Sequence, residues 1–202
     1  MHSAGFSKAV TCFTNANPAP ALLNPVSATL AFKRGIRMLY FSYGSNMSIK
    51  RLVDRVPSAK FETVASLHEH DLRFHKKSKD GSGKCDACKT NNPKHFVIGV
   101  VFEIDESEKS DLDRKEGLGY GYEEKEVTLI SLSGEKISAL TYYATSIDSE
   151  LKPYHWYKHH VLTGAKENEL PVEYIEKINS IESVADMKSE RHESEMAIYA
   201  NK

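Results

Sequence analysis

The clearest chemical signal in the chain is the run Leu39-Tyr40-Phe41-Ser42-Tyr43-Gly44-Ser45-Asn46-Met47. An apolar, aromatic-rich stretch suited to a short buried strand breaks at Gly44. An amphipathic segment over residues 47–56 follows, with Met47, Ile49, Leu52, Val53 and Val56 on its apolar side, and Pro57 stops it. Strand, tight turn and helix together aim free backbone N–H groups outward at a positive helix end, a cradle for a carboxylate or phosphate. Neither Gly-x4-Gly-Lys-Ser/Thr nor Gly-x-Gly-x-x-Gly is present, so a small anion fits better than a nucleotide. The same residues also make an ordinary turn, with Asn46 or Ser48 as helix cap.

A second cluster is Cys85-Asp86-Ala87-Cys88, with His95 after it and His68, His70 and His75 before it. Structural zinc needs four ligands in closed geometry, and the chain has no second C-x-x-C. The expectation is therefore no metal, with residues 76–92 forming a polar surface loop that holds two incidental thiols. Three cysteines, an odd and low count, argue against a disulfide framework and for a reducing compartment.

The elements that must position these residues read as follows. Residues 60–67 and 72–76 are strands joined through 68–71. Residues 95–104 form a nearly continuous apolar run, the pattern of a strand buried on both faces. A short charged helix spans 106–116, capped by Asp105 or Ser107. Leu118-Gly119-Tyr120-Gly121-Tyr122 is a glycine turn between aromatics, and 124–132 pairs with 136–144 across Ser133-Gly134. One helix runs from Pro153 to Gly164, and another starts at Pro171. From Ser183 onward the chain is polar and reads as a loosely held tail. Strands in runs with irregularly interspersed helices indicate an α+β single domain around one mixed or closed sheet.

At 202 residues, with 40% hydrophobic and 27% charged content, the chain has the composition of a soluble globular protein. A net charge of −1 points to neither nucleic acid nor a membrane surface, and no run is long enough to span a bilayer. The balance is uneven. Residues 1–37 hold Lys8, Lys33, Arg34 and Arg37 and no acid, a net of +4, which leaves −5 for the remainder. This Pro-interrupted start reads either as an organellar transit peptide or as an extended translation start before Met38. The expected layout is an extension over 1–37, a domain over 38–182 and a tail over 183–202, in a cytoplasmic protein with organellar targeting left open by the extension.

Three ordered motifs carry a resemblance. Tyr40-Phe41-x-Tyr43-Gly44-Ser45-Asn46 comes first, then Leu112-Asp113-x-x-Glu116-Gly117 with Gly121-Tyr122 behind it. Tyr157 and Gly164-Ala165-Lys166-Glu167-Asn168-x-Leu170-Pro171 complete the set. From about Tyr40 to about Glu182 the chain resembles the γ-glutamylcyclotransferase family. The resemblance implies a small barrel-like mixed sheet flanked by helices and a cofactor-free closure of a γ-glutamyl amide to 5-oxoproline. It implies that Tyr40, Phe41, Ser42, Tyr43, Gly44, Ser45 and Asn46 bind the γ-glutamyl part, that Tyr157 lines the same pocket, and that Glu116 is the acid/base. The implied partner is a small γ-glutamyl molecule, and family precedent permits a homodimer.

The chemistry is consistent on its own terms. Ring closure needs the substrate's α-amine held against its own γ-carbonyl, so positioning supplies several kcal/mol of the barrier. A solvated Glu, with a pKa of about 4.3, is too weak a base for an ammonium group, but burial raises it toward a useful range of roughly 6–7. Glu116 is therefore expected to be largely buried, to end its helix facing residues 44–46, and to have a raised pKa. The rival reading is a non-catalytic module that uses the cradle to bind a small carboxylate.

Overall fold

The computed structural model describes residues 35–200. Cys12, nearly all of the 1–37 extension and residues 201–202 lie outside the described residues.

Five strands close a barrel in the order β1-β5-β2-β6-β7: Arg37–Ser42 (β1), Lys60–His68 (β2), Phe96–Asp105 (β5), Tyr122–Ser131 (β6) and Lys136–Ala144 (β7). The pairs are antiparallel except where β7 meets β1 in parallel, Tyr40 opposite Leu140, which seals the sheet. The apolar run recognised at 95–104 becomes β5, bonded to β1 on one side and β2 on the other, with Val97, Val100, Val101, Phe102 and Ile104 buried. The architecture is thus the mixed, barrel-like α+β domain expected from the sequence.

His70–Lys77 (β3) and Gly83–Lys89 (β4) form a separate antiparallel pair. This corrects the expectation of a surface loop over 76–92. Cys85 and Asp86 are buried, and the Asp86 Oδ1 accepts the Ala144 N–H at 2.8 Å, fastening β4 to the end of β7. Alternation of small and polar residues hid the strand, because its apolar partners come from other elements rather than from its own sequence. The ladder slips by one residue between Arg73 and Lys76, and Phe74, His75 and Lys76 are all buried in succession. A straight strand with one covered face would alternate, so the extra residue is what turns Lys76 inward.

The amphipathic segment after the cradle is also broken up. Ser45–Met47 is a 3-10 turn and Ile49–Val53 (α1) a single short helix. Met47, Leu52 and Val56 are fully buried, but Ile49 and Val53 are exposed while Arg51 is buried. One helical period does not run through both pieces, so the continuous apolar face read from the sequence does not form. Ser48 occupies the position before α1 without a side-chain capping bond, and neither Ser48 nor Asn46 acts as the expected cap.

His155–Glu167 (α3) lies directly on the cradle. A Cβ on Gly164 would sit 2.4 Å from the Ser48 backbone nitrogen, so only glycine lets the two backbones approach this closely. The Asn168 Nδ2 completes the clamp by donating to Met47 O at 2.9 Å and Gly164 O at 2.8 Å. Lys109–Glu116 (α2) ends at Gly117, whose φ of 78° and ψ of 44° stop the helix in the left-handed region just after Glu116.

Val172–Ser180 (α4) and Ser189–Ala197 (α5) follow. The loosely held tail expected from Ser183 is instead docked. The Trp156 Nε1–H donates to Asp186 Oδ2 at 2.8 Å, and His160 bonds Tyr199 Oη at 2.8 Å and Glu195 Oε2 at 2.9 Å. The Arg51 Nη1 reaches the same Glu195 oxygen at 2.6 Å. Polar side chains on α5 meet buried polar partners on α1 and α3, which a search for apolar anchors passes over.

Two outcomes are expected. Burial alone would raise the Glu195 pKa, but His160 and Arg51 pull it down to about 2, so this pair stabilises above the ordinary carboxylate range and is lost as pH falls from about 4.5 toward 2. Hydrogen exchange of residues 189–197 should accelerate in that window, and Glu195→Gln should accelerate it at pH 7; unchanged exchange in the variant would refute the pairing. Gly164→Ala should destabilise the fold by roughly 1–3 kcal/mol, as overpacking does, despite alanine's better helix propensity. Thermal unfolding measures it.

Candidate active site

The end of β1 delivers the cradle to the mouth of the barrel. The Tyr43 Oη–H donates to Tyr142 O at 2.5 Å and the Thr141 Oγ1–H to Phe41 O at 2.9 Å, tying the strand end to β7. Residues 40–46 then line a small cavity of about 30 Å³, closed by Cys85, Glu116, Tyr122, Thr141, Tyr142 and Tyr157. All eight sequence-derived binding residues, Tyr40, Phe41, Ser42, Tyr43, Gly44, Ser45, Asn46 and Tyr157, therefore meet Glu116 around one space.

Four of these residues, Ser45, Glu116, Tyr122 and Tyr157, also line a larger vestibule of about 720 Å³. Glu116 thus stands where the small cavity opens into the large one. The vestibule wall carries Arg51, Arg55, Lys76, Lys79, Lys84, Arg114 and Lys115 against two carboxylates, Asp113 and Glu116.

Glu116 is the last residue of α2, and its side chain is 18% exposed. The Asn46 Nδ2–H donates to its Oε1, and Asn46 also contacts the Tyr40 hydroxyl at 3.3 Å. Arg55 Nη1 donates to Asn46 Oδ1 at 2.9 Å and lies 3.6 Å from the Glu116 Oε1. The Asn46 side chain is therefore a spacer between Arg55 and the carboxyl, where the sequence suggested a helix cap. Burial raises the Glu116 pKa above its ordinary value; Arg55, Arg51, Lys76 and the Asn46 bond oppose this without cancelling it.

Cys85 was missed by the sequence reading. Its N–H donates to Tyr157 Oη at 3.1 Å, and its C=O accepts the Tyr122 hydroxyl at 2.5 Å, so two aromatic walls hang on one backbone unit of β4. Burial pushes the Cys85 thiol up to about 12, so it stays protonated and is a wall rather than a nucleophile. Tyr142 donates to Asp113 Oδ1 at 2.5 Å, and Asp113 in turn accepts from Lys109 at 2.9 Å. Burial raises the pKa values of Tyr40, Tyr43, Tyr122, Tyr142 and Tyr157, and all five phenols are neutral at pH 7. Nothing local in the sequence marks Cys85, Tyr142, Arg55 or Lys76; the two-glycine turn before Tyr122 was the one usable cue.

Among the described residues, His75, Asp86 and Cys88 bring three metal-binding atoms within 4.8 Å of one another. Asp86 is already engaged by the His75 Nε2 at 2.9 Å and the Ala144 N–H at 2.8 Å, so this cluster has a sufficient role in pinning β3, β4 and β7. Among the described residues no helix is long and apolar enough to cross a membrane.

Residues 96–178 match the model of the AIG2-like family. The chain is 40% identical over 153 residues to a γ-glutamylcyclotransferase of Bos taurus, spanning 73% of this chain and 80% of that one. It is 38% identical over 149 residues to a γ-glutamylcyclotransferase of Homo sapiens, spanning 71% and 78%. A solved structure described as a γ-glutamyl cyclotransferase superposes with a TM-score of 0.74 at 33% identity, covering 82% of this chain and all (100%) of that one.

A raised carboxyl pKa is also a statement about stability. The ionised form costs more in the folded than in the unfolded state, so the contribution of Glu116 is most favourable at low pH and is lost as pH rises through its folded pKa. Glu116→Gln should therefore unfold at a higher temperature than the wild type at pH 7–8, with the gap closing below about pH 4.5. A variant less stable at pH 8 would show that Arg55 and Asn46 outweigh the burial.

Proposed function

The chain belongs to the γ-glutamylcyclotransferase family, and we propose that it converts a γ-glutamyl amino acid to 5-oxoproline and the free amino acid, with Glu116 carrying the proton between two nitrogens. One observation carries the reading: a single carboxyl of raised pKa lines both a small aromatic-walled cavity and the larger vestibule beside it.

The small cavity has room for little more than one water-sized group, so it suits the α-carboxylate end of the substrate alone. The opening amides of the 3-10 turn at Ser45–Met47 have no partner inside that turn and are suited to meet this carboxylate. The glutamyl chain then curls past Glu116, and the leaving residue extends into the vestibule. The α-ammonium gives a proton to the Glu116 carboxylate and its nitrogen attacks the γ-carbonyl carbon. A new C–N bond closes the five-membered ring, Glu116 returns the proton to the departing nitrogen as the old amide C–N bond breaks, and the second proton of the ring nitrogen passes through the same carboxyl to the released amine, leaving a neutral lactam and an ammonium group. The balance closes without an added cofactor. Asn46 and Arg55 hold the carboxyl in place, while the neutral phenols of Tyr40, Tyr122 and Tyr157 keep water from surrounding it.

A pure carboxylate binder on the same scaffold is the competing reading, and one experiment separates the two. Incubation with γ-glutamyl-alanine should release 5-oxoproline and alanine. In Glu116→Gln the turnover number should fall by roughly 10²–10⁴-fold, the usual worth of general acid–base catalysis, while substrate binding persists. Binding without 5-oxoproline from the wild-type protein would decide for the binder. In the enzyme, kcat should fall on the acid side with a midpoint above the ordinary glutamate range.

A further inference from the structure

The vestibule has a property that ring closure alone does not require. Of its seven cationic side chains, four are accounted for: Arg51 by Glu195, Arg55 by Glu116, Lys84 by Asp80, and Arg114 by Asp111. Lys79 and Lys115 are exposed and solvated. Lys76 differs from both groups. It is 7% exposed, and among the described residues it is the buried cation of this wall with no carboxylate within ion-pair distance and no hydrogen-bond acceptor. Its Nζ lies 4.5 Å from the centroid of the Tyr122 ring, which supplies a face but no acceptor for three N–H donors.

The β3 bulge turns the Lys76 stem inward beside the Gly121-Tyr122 turn that follows Glu116, where it is buried, while its ammonium faces the vestibule without a protein acceptor. Burial lowers its pKa, while the nearby Glu116 carboxylate pulls it back up. The cavity it faces is where the cyclisation reading puts the departing residue.

We propose that the vestibule is a leaving-group subsite in which the Lys76 ammonium binds a carboxylate of the departing residue, so that the enzyme selects γ-glutamyl compounds with anionic leaving groups. This inference rests on the cyclisation reading and names the substrate class within it. A departing amino acid satisfies the ammonium through its α-carboxylate. A departing acidic amino acid brings a second carboxylate into a wall that carries seven cationic side chains against two carboxylates, and is favoured further. A departing alkylamine leaves Lys76 without a partner.

The test is kcat/KM for γ-glutamyl-glutamate, γ-glutamyl-alanine and γ-glutamyl-propylamine, measured with wild type, Lys76→Met and Lys76→Arg. The wild type should prefer alanine over propylamine by about tenfold or more, the worth of one hydrogen bond to a charged group, with the glutamate compound at least equal to alanine. In Lys76→Met the alanine-to-propylamine ratio should collapse to within about twofold, and Lys76→Arg should preserve most of it. Because the readout is a ratio for one enzyme sample, loss of folded protein cancels. A wild-type ratio near one, a ratio that survives Lys76→Met, or an equal loss on both substrates would overturn the subsite while leaving cyclisation standing. No turnover of any of the three by the wild type would overturn the cyclisation reading itself.

Discussion

The candidate site depends on shielding one carboxyl from most of the surrounding water without pairing it fully. Glu116 at the end of α2 is surrounded by phenols and a short amide, and the nearest guanidinium is held off by Asn46 rather than laid directly against it. A bidentate arginine pair would depress the pKa and leave a poor base, whereas full burial without partners would make the charged form too costly to visit. The Asn46 spacer sits between these extremes. It gives the carboxyl one polar contact and lets burial dominate.

The rest of the fold reads as the apparatus that assembles this arrangement from distant segments. Asn46 and Glu116 are 70 residues apart and meet because β1 and α2 both end at the same mouth of the barrel. Gly164 and Asn168 press α3 onto the 3-10 turn, so the Gly-Ala-Lys-Glu-Asn segment serves the cradle from behind and need not touch a substrate. The β4 strand hangs Tyr122 and Tyr157 on the backbone of Cys85. Each clamp is a backbone or near-backbone contact, which leaves little slack in the geometry around the carboxyl.

Charge is arranged with comparable care. Glu195, arriving on α5, takes up Arg51, so that only part of the positive field of α1 acts on Glu116. His160 remains neutral at pH 7, its pKa lowered by burial to about 4, and bridges Glu195 and Tyr199. The terminal helix therefore belongs to the electrostatics of the site even though it forms no part of the cavity wall.

Much of this was legible in the sequence wherever the signal is local. The strand that breaks at Gly44, the apolar run of β5, the hairpin across Gly134 and the charged helix that stops at Glu116 each follow from short-range periodicity and turn chemistry. The order of three motifs led to the family and, through it, to Glu116. The β4 strand, the docking of α5, the inward turn of Lys76 and the role of the Asn46 side chain were not legible. A bulge reverses alternation with no residue type to announce it, and a polar side chain reads as solvated until its partner is known. The residue types, and with them the chemistry available to the chain, were set by sequence alone. Which of its acids, amides and cations share a dry space was decided only by tertiary structure, because burial and pairing are properties of elements brought together by the barrel's long-range closure.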